Sequence, residues 1–421
     1  MIEINHINNK ITYFIVFLGC ITPLIINPFT FDYYYLPKIT VVYWITLSMI
    51  SIVIINKEPY LCIKDKSEKI ILGYLAILIL STLNSLEISI SIWGAPEREE
   101  GLLAICSYIL IFILTKRYYK FNKKHLYLFI ITSSIVSLYG ILQYFGFDPI
   151  PKDYLRGSWS GRAYSTMGNP NFLGAYLVLV LPIVIYSYIK TKRNIFLLCT
   201  QLIYFSLLCT MTRGSWIGFG FSLLIIIFFS FKHKEDRTNI YVLLVILSIV
   251  TVMFNFISDN YFVSRLISIF GDFKTTIDME TGYEKSGAGR MFIWNKTLLI
   301  LKDYSLFGVG IDNLYLEFNN RFGNEIYETF GYNVLVDKAH NEYLHIAVTT
   351  GIPSLVIYVV FLREIITKGL YNINSHITVL PILTSVIGYL VQAFFNISVV
   401  SVSFLLWIFI GILYRYSSNE E

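Results

Sequence analysis

Long apolar stretches, repeated along the whole chain, constrain the fold of this protein more than any other feature of its sequence. A helix of about 20 residues spans the roughly 30 Å hydrocarbon core of a bilayer. Because unpaired backbone amides are costly in lipid, each such stretch must be helical. The stretches long enough to span lie near residues 11–29, 39–56, 70–84, 102–115, 125–146, 170–189, 195–211, 214–231, 239–257, 342–361, 376–394 and 397–414.

The composition agrees with this pattern and excludes a soluble globular domain. Only 14% of the 421 residues are charged, against about 25% in soluble domains, and the mean hydropathy is +0.62. We therefore expect an all-α polytopic membrane protein with about twelve transmembrane helices. Residues 1–257 and 341–421 would form one integrated membrane domain, with residues 258–340 as a single long loop between the ninth and tenth helices.

The distribution of basic residues predicts the orientation, because cytoplasmic links carry an excess of lysine and arginine. We expect both termini in the cytoplasm and the long loop on the extracytoplasmic side. Basic residues are concentrated in every second link, at Lys57, Lys64, Lys66, Lys69, Lys116, Arg117, Lys120, Lys123, Lys124, Lys190, Lys192, Arg193, Lys232, Lys234, Arg237, Arg363 and Lys368.

An arginine beside the membrane is costly, so the position of Arg213 is informative. It lies between adjacent spans with almost no link, and its guanidinium must therefore sit at the outer mouth of a helical hairpin. Such a group can bind a phosphate bidentately and stays charged. The alternative is an interfacial anchor beside Trp216.

Arg290 begins a segment with helical periodicity in the long loop. Met291, Trp294, Leu298 and Leu301 recur on one face, which predicts an amphipathic helix in the membrane interface. The start of a helix offers unpaired N–H groups and the positive end of its dipole, an arrangement that suits a phosphate. A solvated surface arginine is the alternative.

Other polar residues at the expected outer surface are weaker candidates. Arg162 lies shortly before Asn169 and Pro170, which can cap and begin the next span. This segment is either a plain helix entry or a supporting part of a donor site. Arg98 is expected to pair with the carboxylates beside it at positions 97, 99 and 100.

His340 is the sharpest candidate for a catalytic base. It lies at the end of the long loop, where a span begins, and an imidazole can accept a proton from a hydroxyl near neutral pH. Asp337 or Glu342 could fix its tautomer, and Asn341 is a further supporting candidate. His345 is five positions away, about 140° round a helix, so we expect no shared metal ligation. His345 is more simply interpreted as a packed histidine or one that contacts lipid head groups.

The absence of a recognisable nucleotide motif limits the substrates. No Walker motif or other Gly-rich phosphate loop occurs, and the cytoplasmic links are too short for a nucleotide-binding domain. The donor must therefore be reachable from the membrane or its outer face, which a lipid-linked substrate satisfies. We expect no cofactor and no nucleic-acid partner.

The polar segments, taken in order, resemble those of the O-antigen ligase-like family of bacterial membrane glycosyltransferases, which includes O-antigen ligases and polysaccharide polymerases. Gly308, Gly310 and Asn313 also resemble that family's loop. The resemblance is strongest over residues 160–365. The matching segments are 168–172 (GNPNF), 212–216 (TRGSW), 289–294 (GRMFIW) and 339–344 (AHNEYL).

This resemblance implies a GT-C-like helical fold in the bacterial cytoplasmic membrane, with the active site on the extracytoplasmic face. It implies an inverting, metal-independent transfer of a glycan from an undecaprenyl-diphosphate carrier to a hydroxyl of an acceptor glycan, lipid or protein. Arg213 and Arg290 match the arginines that hold the diphosphate, and His340 matches the base.

A transporter or flippase for polysaccharide or lipid-linked glycan is the alternative from another functional class. About twelve spans would suit one, and transporters often place charged residues along a central path. The polar candidates instead cluster at one membrane face, and no repeated halves are evident.

Overall fold

The computed structural model describes residues 2–29, 32–56, 65–148, 150, 161–277, 289–331 and 335–418. The secondary structure in these ranges is helical, without strands. Its α-helices are α1 (Ile2–Cys20), α2 (Tyr35–Ile55), α3 (Lys66–Leu83), α4 (Ile88–Trp93), α5 (Leu102–Tyr118), α6 (Lys123–Tyr144), α7 (Pro170–Thr191), α8 (Asn194–Cys209), α9 (Arg213–Ser230), α10 (Arg237–Ile257), α11 (Tyr261–Ile277), α12 (Arg290–Asp303), α13 (Leu314–Phe330), α14 (Glu342–Thr350), α15 (Ile352–Tyr371), α16 (Val379–Ala393) and α17 (Val400–Tyr416).

Several of these helices can cross a membrane. Within the described ranges, six apolar segments are long enough: α2, α6, α7, α9, α10 and the segment Ile7–Leu24, which contains most of α1. Helices α8, α16 and α17 are apolar but shorter. The all-α fold with several helices able to span a membrane is therefore confirmed, whereas the count of twelve spans and the GT-C-like arrangement stay predictions.

Helix α7 forms the centre of the bundle and starts as its sequence predicts. The Asn169 side chain caps it by accepting a hydrogen bond from the Asn171 amide at 2.8 Å, and Pro170 takes the first helical position. Almost every residue of α7 is buried, because α8, α9 and α16 pack around it. The segment before α7 is held to α2 by the buried Lys38 ammonium, which donates to the Thr166 carbonyl at 2.6 Å.

The links rich in lysine lie together at one end of the bundle, which we call the lysine-rich end. At this end the start of α3 meets the end of α5, because Lys116 and Arg117 both pair with the buried Glu68. Lys66 pairs with Glu364 of α15, and Lys190 of α7 pairs with Asp236 before α10. Lys57 and Lys64 lie outside the described residues.

The predicted span at 342–361 is wrong as a single helix. It is broken at Gly351 into α14 and α15, and Gly351 has φ +93°, which an L side chain rarely adopts. The chain between α12 and α13 packs into this break, with the Ile352 amide donating to the Ser305 carbonyl at 2.8 Å. The break therefore joins the loop to the membrane helices.

Replacing Gly351 by alanine should destabilise the protein. The new Cβ would lie 2.0 Å from the Leu306 carbonyl oxygen, at a backbone angle that also strains an L residue. We expect a loss of at least about 2 kcal/mol, measured by thermal unfolding in detergent. Gly323→Ala is the control, since its Cβ would meet nothing within 4 Å. Equal melting temperatures for both variants would contradict this account of the break.

The region predicted as one loop with one helix contains more structure than expected. Helices α11 and α13 were not predicted, and α12 begins at Arg290 as expected. The buried face of α12 differs from the predicted one, because Phe292 and Ile300 are buried whereas Leu298 is 47% exposed. Packing against α13 and α14 decides this face: Phe292, Ile300 and Phe318 belong to a separate small hydrophobic core.

Candidate active site

Arg213 begins α9 and lies at the turn after α8, at the opposite end of α9 from the lysine-rich end. The helices are separated by Thr210, Met211 and Thr212 alone, as the predicted hairpin requires. The Arg213 guanidinium is half-buried and donates to the Ser268 hydroxyl of α11 at 2.8 Å. Helix α11 thus covers this hairpin mouth and helps to orient the arginine.

Further arginines converge on the same turn. Arg162 donates to the Thr210 carbonyl at 3.0 Å and to the Thr212 hydroxyl at 3.2 Å. Arg265 of α11 donates to the Met211 carbonyl at 3.0 Å, and its Nε is buried without a hydrogen-bond partner among the described residues. Burial, and then the nearby charge of Arg265, lower the pKa of Arg162 to about 10. The hairpin mouth therefore carries concentrated positive charge.

Arg290 joins this cationic cluster from α12. It is half-buried at the first position of the helix, after Gly289. Its positive charge contributes to the lowered pKa of both Arg162 and His340. Arg290 therefore lies within electrostatic range of both Arg162 and His340, and the start of its helix adds partial positive charge.

His340 is held in an unusual backbone conformation just before α14. Its φ is +49°, a value that is uncommon for residues other than glycine. On one side, the Trp294 indole of α12 donates to the Ala339 carbonyl at 2.9 Å. On the other, the Asn341 side chain caps α14 by accepting from the Leu344 amide at 3.1 Å. These contacts hold His340 between α12 and the start of α14.

The surroundings keep the His340 imidazole neutral. Burial lowers its pKa first, the positive charge of Arg290 lowers it further, and Asp337 opposes both, leaving a pKa of about 4. At neutral pH the ring is thus unprotonated and can accept a proton. It is a weak base as long as no anion neutralises the positive charge of the arginines. The electrostatics couple the base to the arginine cluster.

Neither carboxylate proposed to orient His340 is bonded to it. Asp337 accepts from Arg98 at 2.5 Å, and Glu342 accepts from the Tyr358 and Ser398 hydroxyls. The prediction that Arg98 pairs with its sequence neighbours is therefore wrong, because the fold brings Asp337 to it instead. Burial alone would raise the pKa of Asp337, but the charge of Arg98 brings it below its ordinary value.

A buried ion pair holds the segment before His340 against the loop that precedes α13. Lys338 and Asp312 form a salt bridge with almost no exposure of either side chain. Asp312 also accepts from the Ala95 amide at 2.7 Å, which links the loop before α13 to the segment after α4. Beside this pair, Glu100 and His345 line a cavity of about 100 Å³.

An apolar groove on the surface of the helix bundle begins close to this site. Its volume is about 720 Å³, and α9, α15 and α16 form its walls with residues such as Ile217, Leu362 and Val391. Tyr343 and Phe394 line it close to the site, where Phe394 packs against Trp294 with ring centroids 5.5 Å apart. The groove therefore begins within a few residues of His340.

Comparison with known protein families gives one informative match. Residues 195–359 match the family model described as O-antigen ligase. The resemblance to the O-antigen ligase-like family is confirmed. No curated protein matches the chain. The match indicates a membrane glycosyltransferase of the ligase or polymerase type.

The segment matching the O-antigen ligase family includes Arg213, Arg265, Arg290 and His340. Arg162 precedes the matching segment in the sequence. It is brought to the site by its hydrogen bonds to the hairpin between α8 and α9. Arg265 was not predicted as a site residue, because no glycine, cap or span boundary marks it. Its one sequence signal is the presence of an arginine within the largely apolar segment 261–270.

Proposed function

We propose that this protein transfers a glycan from an undecaprenyl-diphosphate carrier to an acceptor hydroxyl, at the extracytoplasmic face of a bacterial cytoplasmic membrane. The observation that carries the proposal is the convergence of Arg162, Arg213, Arg265 and Arg290 beside a neutral histidine, where an apolar groove opens. The sidedness rests on the separation of this site from the lysine-rich end.

The arginines suit a diphosphate leaving group. When the bond between the anomeric carbon and the diphosphate oxygen breaks, the electron pair stays on that oxygen and negative charge builds up there. Guanidinium groups of Arg213 and Arg290 stabilise this charge from fixed positions, and Arg162 and Arg265 add to the positive field. A metal ion is not needed for this stabilisation, so we infer a metal-independent reaction.

The apolar groove suits the polyprenyl chain of the carrier. The groove lies between α9, α15 and α16, on a surface that would face lipid. Tyr343 lines the groove and is close in sequence to His340. A prenyl chain lying in the groove would bring its diphosphate to the arginines without leaving the membrane. This arrangement supports a lipid-linked donor rather than a soluble one.

His340 would accept the proton of the acceptor hydroxyl as that oxygen attacks the anomeric carbon. Binding of the diphosphate would neutralise part of the arginine charge that lowers the pKa of His340. The histidine would then become a stronger base when the donor is present. Attack from the face opposite the leaving group inverts the configuration at the anomeric carbon.

The reaction is tested with the purified protein, a lipid-linked glycan and an acceptor in detergent. We expect a new glycosidic bond, formed at the same rate with and without EDTA. Loss of activity in EDTA, restored by a divalent cation, would contradict the metal-independent mechanism. Movement of the glycolipid between leaflets of proteoliposomes, without a new bond, would favour the transporter alternative.

The acceptor separates a ligase from a polymerase. Mass analysis of surface glycans after deletion of the gene gives the distinction. Single unpolymerised repeat units in the deletion strain would identify a polymerase, because the enzyme that joins the units into a chain would be missing. Complete polymer retained on its lipid carrier would identify a ligase.

A further inference from the structure

A second groove lies at the lysine-rich end of the protein, distant from the arginine cluster. It has a volume of about 360 Å³ and is bounded by α1, α6, α7 and α17. Its walls are apolar, with Val16 and Gly19 from α1, Phe129 from α6 and Ile408 from α17. A groove of this shape between membrane helices fits a hydrocarbon chain.

Basic side chains line the groove where the helices end. Lys123 and Arg193 are exposed there, and Lys190 pairs with Asp236. No aspartate or glutamate is among the described residues that line it. The charge of Lys123 and Arg193 is therefore uncompensated within the groove, which suits an anionic group at its mouth.

A buried polar atom in the same groove supports a polar ligand. His125 lines the groove, and its Nδ1 is buried without a hydrogen-bond partner among the described residues. The His125 ring packs edge-on against Tyr13 at 6.2 Å between centroids, which holds it in place. A buried ring nitrogen of this kind ordinarily has a partner. A ligand oxygen could provide it.

We propose that this groove binds an anionic phospholipid of the surrounding membrane. Its phosphate would lie between Lys123 and Arg193, and one acyl chain would lie along the apolar wall toward Gly19. Apolar contact alone gives little selectivity inside a bilayer, since other lipids offer the same contact. The preference for an anionic head group therefore comes from the charges, at about fivefold in affinity for each basic residue.

The experiment compares phosphatidylglycerol with phosphatidylcholine of identical acyl chains, titrated into the purified full chain and followed by native mass spectrometry. We expect phosphatidylglycerol to bind about 30-fold more tightly to the wild type. The double variant Lys123→Gln, Arg193→Gln should lose this preference. The matched control is Lys124→Gln, Lys192→Gln, which removes neighbouring charges that do not line the groove and should keep most of the preference.

Gly19→Leu separates binding in the groove from attraction to a charged surface. The Cβ at this position would meet only Leu405 at 3.9 Å, so a larger side chain can enter the groove without a backbone clash. All charges remain, and we expect the preference to fall at least about fivefold at an unchanged melting temperature. Equal binding of both lipids to the wild type would overturn the proposal. So would a preference that stays at its wild-type size in Gly19→Leu or in the Lys123, Arg193 variant.

Discussion

Replacing Arg290 by alanine is expected to lower the rate of glycan transfer by about 100-fold to 1000-fold, the usual cost of removing one preorganised donor from a developing negative charge. Arg290 stands at the start of α12 and acts electrostatically on both Arg162 and His340. Its loss therefore weakens the diphosphate site and also raises the pKa of His340. Arg213→Ala should have an effect of similar size.

The measurement is transfer by purified variants with matched amounts of inserted protein. Lys302→Ala is the control, because this exposed lysine lies at the far end of the same helix. Arg290→Lys keeps a positive charge but loses bidentate geometry, and should recover only part of the rate. Transfer by Arg290→Ala at the wild-type rate would show that this arginine does not hold the donor.

Replacing His340 by alanine is expected to reduce transfer by about 100-fold to 10,000-fold, the range for loss of a general base. The pH profile gives a more specific test of its role. Activity should fall as the pH drops through the pKa of His340, because the protonated ring cannot accept a proton. For kcat/KM, which reports the free enzyme, this acid limb should lie near pH 4.

The acid limb of kcat should lie at higher pH than that of kcat/KM. The bound diphosphate neutralises arginine charge, and the pKa of His340 therefore rises toward its ordinary value in the complex. His233→Gln is the control, since His233 is exposed in the link before α10. An acid limb that persists unchanged in His340→Ala would assign it to another group.

Local patterns in the sequence predicted many of the helices and several residues of the candidate site. Hydropathy predicted most of the apolar helices to within a few residues, because transfer into lipid depends on composition along a short segment. Asn169 with Pro170 predicted the start of α7. The positions of Arg213 and Arg290 at helix starts were also predicted, since caps and span ends are local features.

The partners of charged groups could not be predicted in this way. Arg98 pairs with Asp337, which is distant in sequence, and Lys338 pairs with Asp312. Arg265 enters the site because α11, which has no strong start signal, folds over the hairpin mouth. The sequence did not predict the break at Gly351, because the residues on both sides of it are apolar and hydropathy treats them as one continuous span.

The sequence by itself determined that this is a helical membrane protein whose candidate site residues are separated from its lysine-rich links. Both properties depend on the free-energy cost of placing a residue in lipid or in water. That cost is summed over residues that are neighbours along the chain, so the sequence alone reveals it. Only the tertiary structure decided that Arg162 and Arg265 meet at one hairpin, with the charge of Arg290 nearby, and that the pKa of His340 is lowered. Burial and the field of surrounding charges depend on residues that meet only after the helices have packed.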